Sequence, residues 1–198
     1  MFHWVAWAWR DIDLMHEAWS WRRGSATATT NGSTTISPTG TIGGFDLTDF
    51  GSWLYPNSKY QASAYSVASG QASEQTIKYL EYDSFRMKFI VGTNAAAAIQ
   101  YWTISPAGDF LVGPTPDQNY VVRAEYIKDH IAFAADADTP TLPARFHHLI
   151  VWHALQQYGG YDAASEIWQR ADANLKSGMS ALSQACLPKM RWGGRPLA

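Results

Sequence analysis

Three histidines near residue 150 are the first side chains to test for chemistry. A zinc site on one helix needs two imidazoles four residues apart, so that both lie on the same face. His153 lies five residues after His148 and six after His147. Neither spacing fits, so the sequence predicts structural histidines and no metal site.

Two aspartates and the one cysteine are the remaining catalytic candidates. Asp136 and Asp138 precede a predicted helix, where the helix dipole favours negative charge. Cys186 has no C-x-x-C partner and no basic residue before Lys189, which indicates an apolar filler. The sequence also lacks G-x-S-x-G, a phosphate-binding loop and G-x-G-x-x-G. We therefore expect no enzyme activity, no catalytic residue, no cofactor and no metal.

Basic and aromatic side chains alternate in the central part of the chain, as they do in faces that bind single-stranded nucleic acid. The set comprises Lys78, Arg86, Lys88 and Arg123 with Tyr79, Tyr82, Phe85 and Phe89. Acidic residues are interspersed, and the net charge of the chain is −2. Phosphate binding needs an excess of positive charge, so an ordinary solvated sheet face is favoured.

The two ends of the chain have helical periodicity. A first helix up to residue 24 has an apolar seam that includes Val5, Ile12 and Trp19, while Trp4, Trp7 and Trp21 lie off that seam. A middle helix is predicted to have Pro140 or Pro143 in its first turn and to end at Gly159-Gly160. Its apolar face comprises Phe146, Leu149, Ile150, His153 and Ala154. The last helix begins near Tyr161 or Asp162 and ends before Pro188, with a matching seam of Ala164, Trp168, Ala171 and Leu175. We expect the first and last helices to pack together along these seams.

Between the helices the period changes to two. Tyr120, Val122, Ala124 and Tyr126 share one face of a predicted strand. The turn at 105–109 predicts a hairpin of 101–104 with 110–112. Residues 25–44, rich in Ser, Thr and Gly, are predicted to be either a linker or a second short hairpin around 37–40. The expected fold is α+β: a helical bundle from the N- and C-terminal helices with an inserted small antiparallel β region. The expected segments are a first bundle helix (1–24), the β-rich insertion (25–130), the C-terminal bundle helices (131–187) and an extended tail (188–198).

Ten tryptophans in 198 residues indicate large aromatic surfaces, because tryptophan is enriched at interfaces. The low share of charged residues, 16%, argues against global disorder. No apolar stretch approaches the roughly 20 residues of a membrane span, and no signal peptide is evident, so we expect no membrane association.

Five segments resemble a family of tailed-bacteriophage head-to-tail adaptors, or connectors. They cover most of residues 1–188: A…W-x-W at Ala8, Trp19 and Trp21; Y-x-x-F-R at Tyr82–Arg86; Trp102–Ile104 with Gly113–Tyr120; Leu142–His147 followed by Leu149–Leu155; and Tyr158-x-x-Tyr161-Asp162-x-Ala164. The resemblance implies a virion protein that is made in the host bacterial cytoplasm and docks beneath the portal ring. It further implies a ring of twelve copies, a distal neck or tail partner, and a channel through which DNA passes without specific binding.

The composition of the tail, residues 188–198, is consistent with a docking arm that orders in an assembly or with a frayed terminus. The tail has three basic residues and no acid, and its glycines and proline prevent a continuing helix. Trp192 would enter a pocket of a neighbouring subunit or the portal, while Arg191 and Arg195 would meet carboxylates.

Two other classes of function stay open. A carbohydrate-binding or tail-fibre-like module would use Trp53, Tyr55, Tyr101 and Trp102 as stacking platforms. A small hydrolase would use His147 or His153 as a base.

Overall fold

The computed structural model describes residues 2–55, 62–92, 94–135 and 137–188. The chain forms two compact units. The first, here called the helical unit, comprises Met1–Arg23 and His130–Ala198, and the second, the β unit, comprises Gly24–Asp129. No helix in the described ranges combines the length and the apolar character that a membrane crossing requires.

Three long helices build the helical unit: α1 (Phe2–Leu14), α3 (His148–Tyr161) and α4 (Ser165–Cys186). Short 3₁₀ turns lie at Ser20–Arg22 and Ala144–Phe146. Helix α3 packs extensively against both α1 and α4. One apolar core joins all three helices, with Trp9 and Ile12 from α1, Leu149 from α3, and Leu182 from α4.

The first helix is shorter than the sequence predicts, because it ends at Leu14 and excludes Trp19. The physical reason is the side chain of Trp19, which is fully buried and folds back on the helix. Its Nε1 donates to the Ile12 carbonyl at 3.0 Å. The last four carbonyls of a helix have no partner within the helix, so this bond satisfies one of them.

Two of the other predicted helix ends are displaced by a few residues. Helix α3 continues through Gly159 and Gly160 to Tyr161, where the sequence predicts an end. Helix α4 begins at Ser165, after Ala163 adopts a positive φ of 51°. At the other end α4 stops at Cys186, two residues before Pro188, as the sequence predicts.

Two sheets make up the β unit. The first sheet has the order β1-β9-β4-β5, with β3 also pairing with β9, and the second has the order β2-β8-β7-β6. The strands of the first sheet are β1 (Arg23–Thr29), β3 (Phe50–Trp53), β4 (Ser63–Ser66), β5 (Gln75–Thr76) and β9 (Tyr120–Lys128). Those of the second are β2 (Thr35–Ile36), β6 (Lys78–Tyr79), β7 (Tyr101–Ile104) and β8 (Phe110–Gly113). Between β6 and β7 lie α2 (Tyr82–Phe85) and a π-helical turn (Arg86–Ile90).

Aromatic side chains from both sheets form the core of the β unit. Trp102 stacks on Phe110 at 4.8 Å between ring centroids, and Trp53 from the other sheet meets Phe110 at 5.3 Å. Strand β9 contributes Val122, Ala124 and other alternate residues, as its period of two predicts. The predicted hairpin of β7 and β8 is also confirmed, with antiparallel pairing from Tyr101 opposite Gly113 to Ile104 opposite Phe110.

The class α+β is confirmed, but the prediction of a helical bundle with a small antiparallel insertion is wrong. The β unit takes up more than half of the chain, and its strands β6 and β7 run parallel. The hairpin predicted around 37–40 is also wrong, because β2 pairs with the distant β8. Strands of two to four residues show little periodicity in a sequence, so their number and partners depend on tertiary packing.

Candidate interaction surface

The three histidines do not form a common site. His147 Nε2 donates to the Leu142 carbonyl at 2.8 Å, and His153 Nδ1 lies 3.4 Å from the Ala8 carbonyl. His148 is exposed. Two of the rings are thus held by backbone carbonyls, which is a structural role.

The other catalytic candidates that the structure describes, Asp138 and Cys186, have structural surroundings. The Asp138 carboxylate accepts backbone hydrogen bonds from Ala134 and Ala135 at 2.6 and 2.8 Å. The bonds from Ala135 and Ala134 hold the pKa of Asp138 below its usual value. Asp136 lies outside the described residues, and Cys186 is buried in the core. Among the residues that the structure describes, no three potential metal ligands come together.

A buried polar cluster in the helical unit escaped the sequence analysis. The Asp13 side chain is almost fully buried, and its two oxygens accept from Trp21 Nε1 at 2.8 Å and from His130 Nδ1 at 2.9 Å. Trp9 Nε1 donates to the nearby Ile131 carbonyl at 2.9 Å. These bonds fasten the segment at 130–131 to α1. The sequence signal for this cluster is the acidic residue Asp13, which directly follows Ile12 of the apolar seam of α1.

The basic and aromatic residues of the β unit do not share one sheet face, because Tyr82–Phe85 forms α2 and Arg86–Ile90 forms a π-helical turn. Arg123 pairs with Glu74 at 3.3 Å, and Lys88 Nζ lies 4.0 Å from the centroid of the Tyr101 ring. Phe85 is buried. These side chains therefore contact one another or contribute to the core.

The tryptophan platforms of a carbohydrate-binding module are not available at the surface. Trp53 and Trp102 are 4% and 0% exposed. Trp53 Nε1 donates to the Gly108 carbonyl at 2.7 Å, which fixes the indole within the core. Of the four proposed platform residues, Tyr55 is exposed and Tyr101 is half-buried.

The residues of the predicted helix seam are distributed over different surroundings. Ile12, Trp19 and Ala171 are buried, Val5, Ala164 and Leu175 are half-buried, and Trp168 is 41% exposed. The small residues of α4 receive side chains of α3: a Cβ at Gly178 would overlap Leu149 Cδ2. The sequence predicts direct packing of α4 on α1, whereas the structure shows this part of α4 packed on α3.

A clear concave apolar feature of the helical unit is a groove between α1 and α3, here called the α1–α3 groove. Its volume is about 350 Å³, and it is lined by Trp4, Val5, Val151, Ala154, Leu155 and Tyr158. The ring centroid of Trp4 lies 5.8 Å from that of Trp7 and 5.7 Å from that of Tyr161. Trp7 is 53% and Tyr161 79% exposed, so the aromatic surface extends beyond the groove.

The groove is suited to binding apolar side chains of another protein. Exposed apolar patches of contiguous residues mark interaction sites, and aromatic residues are enriched there. One sign of the groove is visible in the sequence, because Trp4 and Trp7 lie off the apolar seam of α1. The predicted contact residues Arg191, Trp192 and Arg195 lie outside the described residues.

The comparison with known proteins identifies the family. The model of the SU10 adaptor protein family matches residues 1–195, almost the whole chain. No protein of curated function gives a significant match. The resemblance to phage adaptors that the sequence motifs indicate is thereby confirmed, and the exposed aromatic surface of the helical unit is appropriate to a protein that binds other proteins. The chain belongs to the SU10 adaptor protein family, and it is a structural adaptor of the bacteriophage virion that associates with other virion proteins.

Proposed function

We propose that the protein forms a head-to-tail adaptor ring that docks on the portal protein and links it to the next neck or tail component. The observation that carries this proposal is the family match over residues 1–195. A ring of twelve copies would be made by one heterologous interface repeated around an axis. Each copy would then present one surface to the preceding subunit and a different surface to the following one.

The surface and the charge of the protein support such a ring. Side chains such as Trp7, Tyr161 and Val151 are exposed and could be covered by a neighbouring copy. The net charge of −2 allows close lateral packing without strong repulsion. It is also suitable for a channel lining along which DNA moves without specific binding.

The C-terminal tail is proposed as a docking arm of the ring. Residues 188–198 have three basic side chains and no acid. In the assembly Trp192 would occupy an apolar pocket, and Arg191 and Arg195 would pair with carboxylates of a neighbouring subunit or the portal.

We propose no catalytic role. Support comes from the backbone bonds of His147 and His153, which assign these rings to the packing of the helical unit. Replacement of either histidine by glutamine should leave ring assembly intact apart from a loss of folding stability. A hydrolase that uses one of these residues as its base would lose its turnover instead.

Electron microscopy of the full-length protein mixed with the portal protein of the same phage tests the proposal. The expected result is a closed ring with rotational symmetry about the portal axis. Particles without that symmetry, or no binding to the portal, would contradict it. A chain that ends at Leu187 tests the docking arm separately, because equal binding and ring formation by that chain would show that the tail has no part in docking.

A further inference from the structure

The α1–α3 groove is an uncovered apolar surface with a defined shape. Val151, Ala154, Leu155 and Tyr158 form one stripe along α3, and Trp4 closes the groove from α1. Val151 is 55% and Tyr158 40% exposed, although both line this groove. The volume of about 350 Å³ is within the range of pockets that bury a large ligand group. The groove is thus able to receive an aromatic side chain.

Negative charge lies beside the groove. Asp162 lies at the C-terminal end of α3, directly after Tyr161, and its carboxylate accepts a hydrogen bond from the Tyr158 hydroxyl at 3.1 Å. The C-terminal end of α3 adds partial negative charge at the same place. On α1, the half-exposed side chain of Asp11 accepts from Gln157 at 3.1 Å. An occupant with a large apolar residue between cations would therefore be complementary to the site.

The C-terminal segment of the chain has that composition. Residues 189–198, which lie outside the described residues, read K-M-R-W-G-G-R-P-L-A. Trp192 is the largest apolar residue, and Lys189, Arg191 and Arg195 are the charged ones. Trp192 therefore has an arginine directly before it and another three residues after it.

The position of the α4 end decides which copy supplies the segment. Helix α4 runs antiparallel to α3, since Gln156 Nε2 donates to Asp172 at 2.9 Å while Gly178 lies against Leu149. At 1.5 Å per residue, Cys186 lies about 12 Å beyond the level of Leu149 and about 25 Å from that of Tyr158. Trp192 is six residues beyond Cys186, and its Cα therefore reaches about 21 Å from that end of α4 when the chain is fully extended. The backbone at Trp192 thus stops short of the Tyr158 end of its own groove, although it can reach the Val151 end, about 15 Å from the level of Cys186.

We infer that the α1–α3 groove binds the C-terminal tail of a neighbouring copy, with Trp192 against Trp4 and the α3 stripe. Arg191 and Arg195 pair with the carboxylates of Asp162 and Asp11. This inference rests on the proposed ring, because a repeated interface of this kind joins each copy to the next. It assigns the two sides of the lateral contact, the groove on one subunit and the tail on the other.

Disulfide trapping between two singly substituted proteins tests the inference. One full-length chain carries Val151→Cys and the other carries Gly193→Cys, and the two are mixed with the portal protein and oxidised. Because each chain holds one of the two new cysteines, a mixed disulfide must join two copies. The native Cys186 is buried in both chains. The expected product is a dimer linked through residues 151 and 193, identified by mass spectrometry.

The matched control is Val67→Cys, because Val67 is 51% exposed but lies in the β unit. The Val151 pair should give a far higher yield than the Val67 pair. Adding Trp192→Ala to the tail chain should lower the yield by roughly tenfold, since a central tryptophan contributes much of the binding energy of an interface. Equal yields for the two pairs, or no effect of Trp192→Ala, would overturn the inference.

Two further measurements separate the possible failures. A chain with both Tyr158→Cys and Gly193→Cys, oxidised at high dilution, should stay largely without an internal disulfide, because Tyr158 lies about 25 Å from the level of Cys186 and so at the limit of its own tail's reach. Efficient internal closure would overturn the assignment to a neighbouring copy. The same samples are imaged by electron microscopy. Rings on the portal that lack the mixed disulfide would overturn the tail contact alone, whereas the absence of rings would overturn the proposed function.

Discussion

The hydroxyl of Tyr126 donates a 2.7 Å hydrogen bond to the carboxylate of Asp49 inside the β unit. Lys128 Nζ lies 3.1 Å from the second carboxylate oxygen, so the same strand supplies both partners of this acid. The bond ties β9 to the segment that precedes β3. Gly24 in β1 allows the arrangement, because a Cβ there would come within 2.5 Å of the Tyr126 ring.

Replacing Tyr126 with phenylalanine should destabilise the β unit. The substitution removes a hydrogen bond to a charged, half-buried acceptor, and hydrogen bonds to charged groups contribute about 1.5–3 kcal/mol. Urea unfolding should show a free energy of unfolding lower by about 1.5 kcal/mol, at the low end of that range, because Lys128 continues to compensate the charge. Tyr55→Phe is the control: Tyr55 is 63% exposed, and its loss of a hydroxyl should change stability little. Equal stability of the two variants would contradict a structural role of the Tyr126 bond.

The same pair predicts a loss of stability at high pH. Burial, together with the hydrogen bond to Asp49 and its charge, raises the pKa of Tyr126 to about 12. Tyrosine in the unfolded chain ionises near pH 10, so above that pH the unfolded state gives up the proton more readily. The contribution of Tyr126 is therefore complete below pH 10 and is lost as the pH rises towards 12. Urea midpoints measured between pH 9 and 12 should fall less in Tyr126→Phe than in the unmodified protein.

Asp49 predicts a loss of stability at low pH. Burial raises its pKa, but the hydrogen bonds from Tyr126 and Lys128 and the charge of Lys128 together outweigh that effect and lower it. An acid with a lowered pKa stabilises the fold above its unfolded pKa, near 4, and the benefit is lost as the pH falls through the folded value. Asp49→Asn should therefore be less stable than the unmodified protein at neutral pH, and the difference should shrink on acidification. A difference that is constant from pH 7 to pH 3 would contradict this prediction.

Local patterns predicted those elements whose stability depends on alternation along one strand or helix. The burial of Tyr120, Val122, Ala124 and Tyr126 follows from the period of two in β9. The helix end at Trp19 could not be predicted in the same way, since Trp19 continues the apolar seam but its indole serves as a cap for Ile12. The pairing of β2 with β8 was equally hidden, because two-residue strands have no pattern of their own.

The candidate surface was only partly visible in the sequence. Trp4 and Trp7 show that α1 is apolar on more than one side. The spacing of apolar residues indicates how many apolar faces a helix has. Which face remains uncovered depends on where α3 packs, and that is a tertiary property. Val151 illustrates the difference: it widens the apolar face of α3 in the sequence, yet it is 55% exposed in the structure.

Two glycines in the helical unit should respond to alanine in opposite directions. At Gly178 a Cβ would overlap Leu149 Cδ2, whose side chain is fully buried, and overpacking of this kind costs about 1–3 kcal/mol. At Gly160 the nearest atom to a Cβ is Trp168 Cδ1 at 3.9 Å, so alanine fits and gains up to about 1 kcal/mol from its helix propensity. Thermal unfolding should show a lower Tm for Gly178→Ala and an unchanged or higher Tm for Gly160→Ala. Leu149→Val should reduce the cost of Gly178→Ala in a double-mutant cycle, and purely additive effects would exclude the contact.

Asp13 should be far more important for stability than Asp11, two residues earlier on the same helix. Asp13 is 2% exposed and accepts hydrogen bonds from Trp21 and His130, while the Asp11 side chain is 53% exposed. Asp13→Ala leaves buried donors without an acceptor, which costs about 1–3 kcal/mol for each unsatisfied group. Asp11→Ala is a surface change and should stay within about 0.5 kcal/mol. Chemical unfolding followed by circular dichroism should place the variants in that order, and retention of full stability in Asp13→Ala would show that the cluster does not hold the segment at 130–131 to α1.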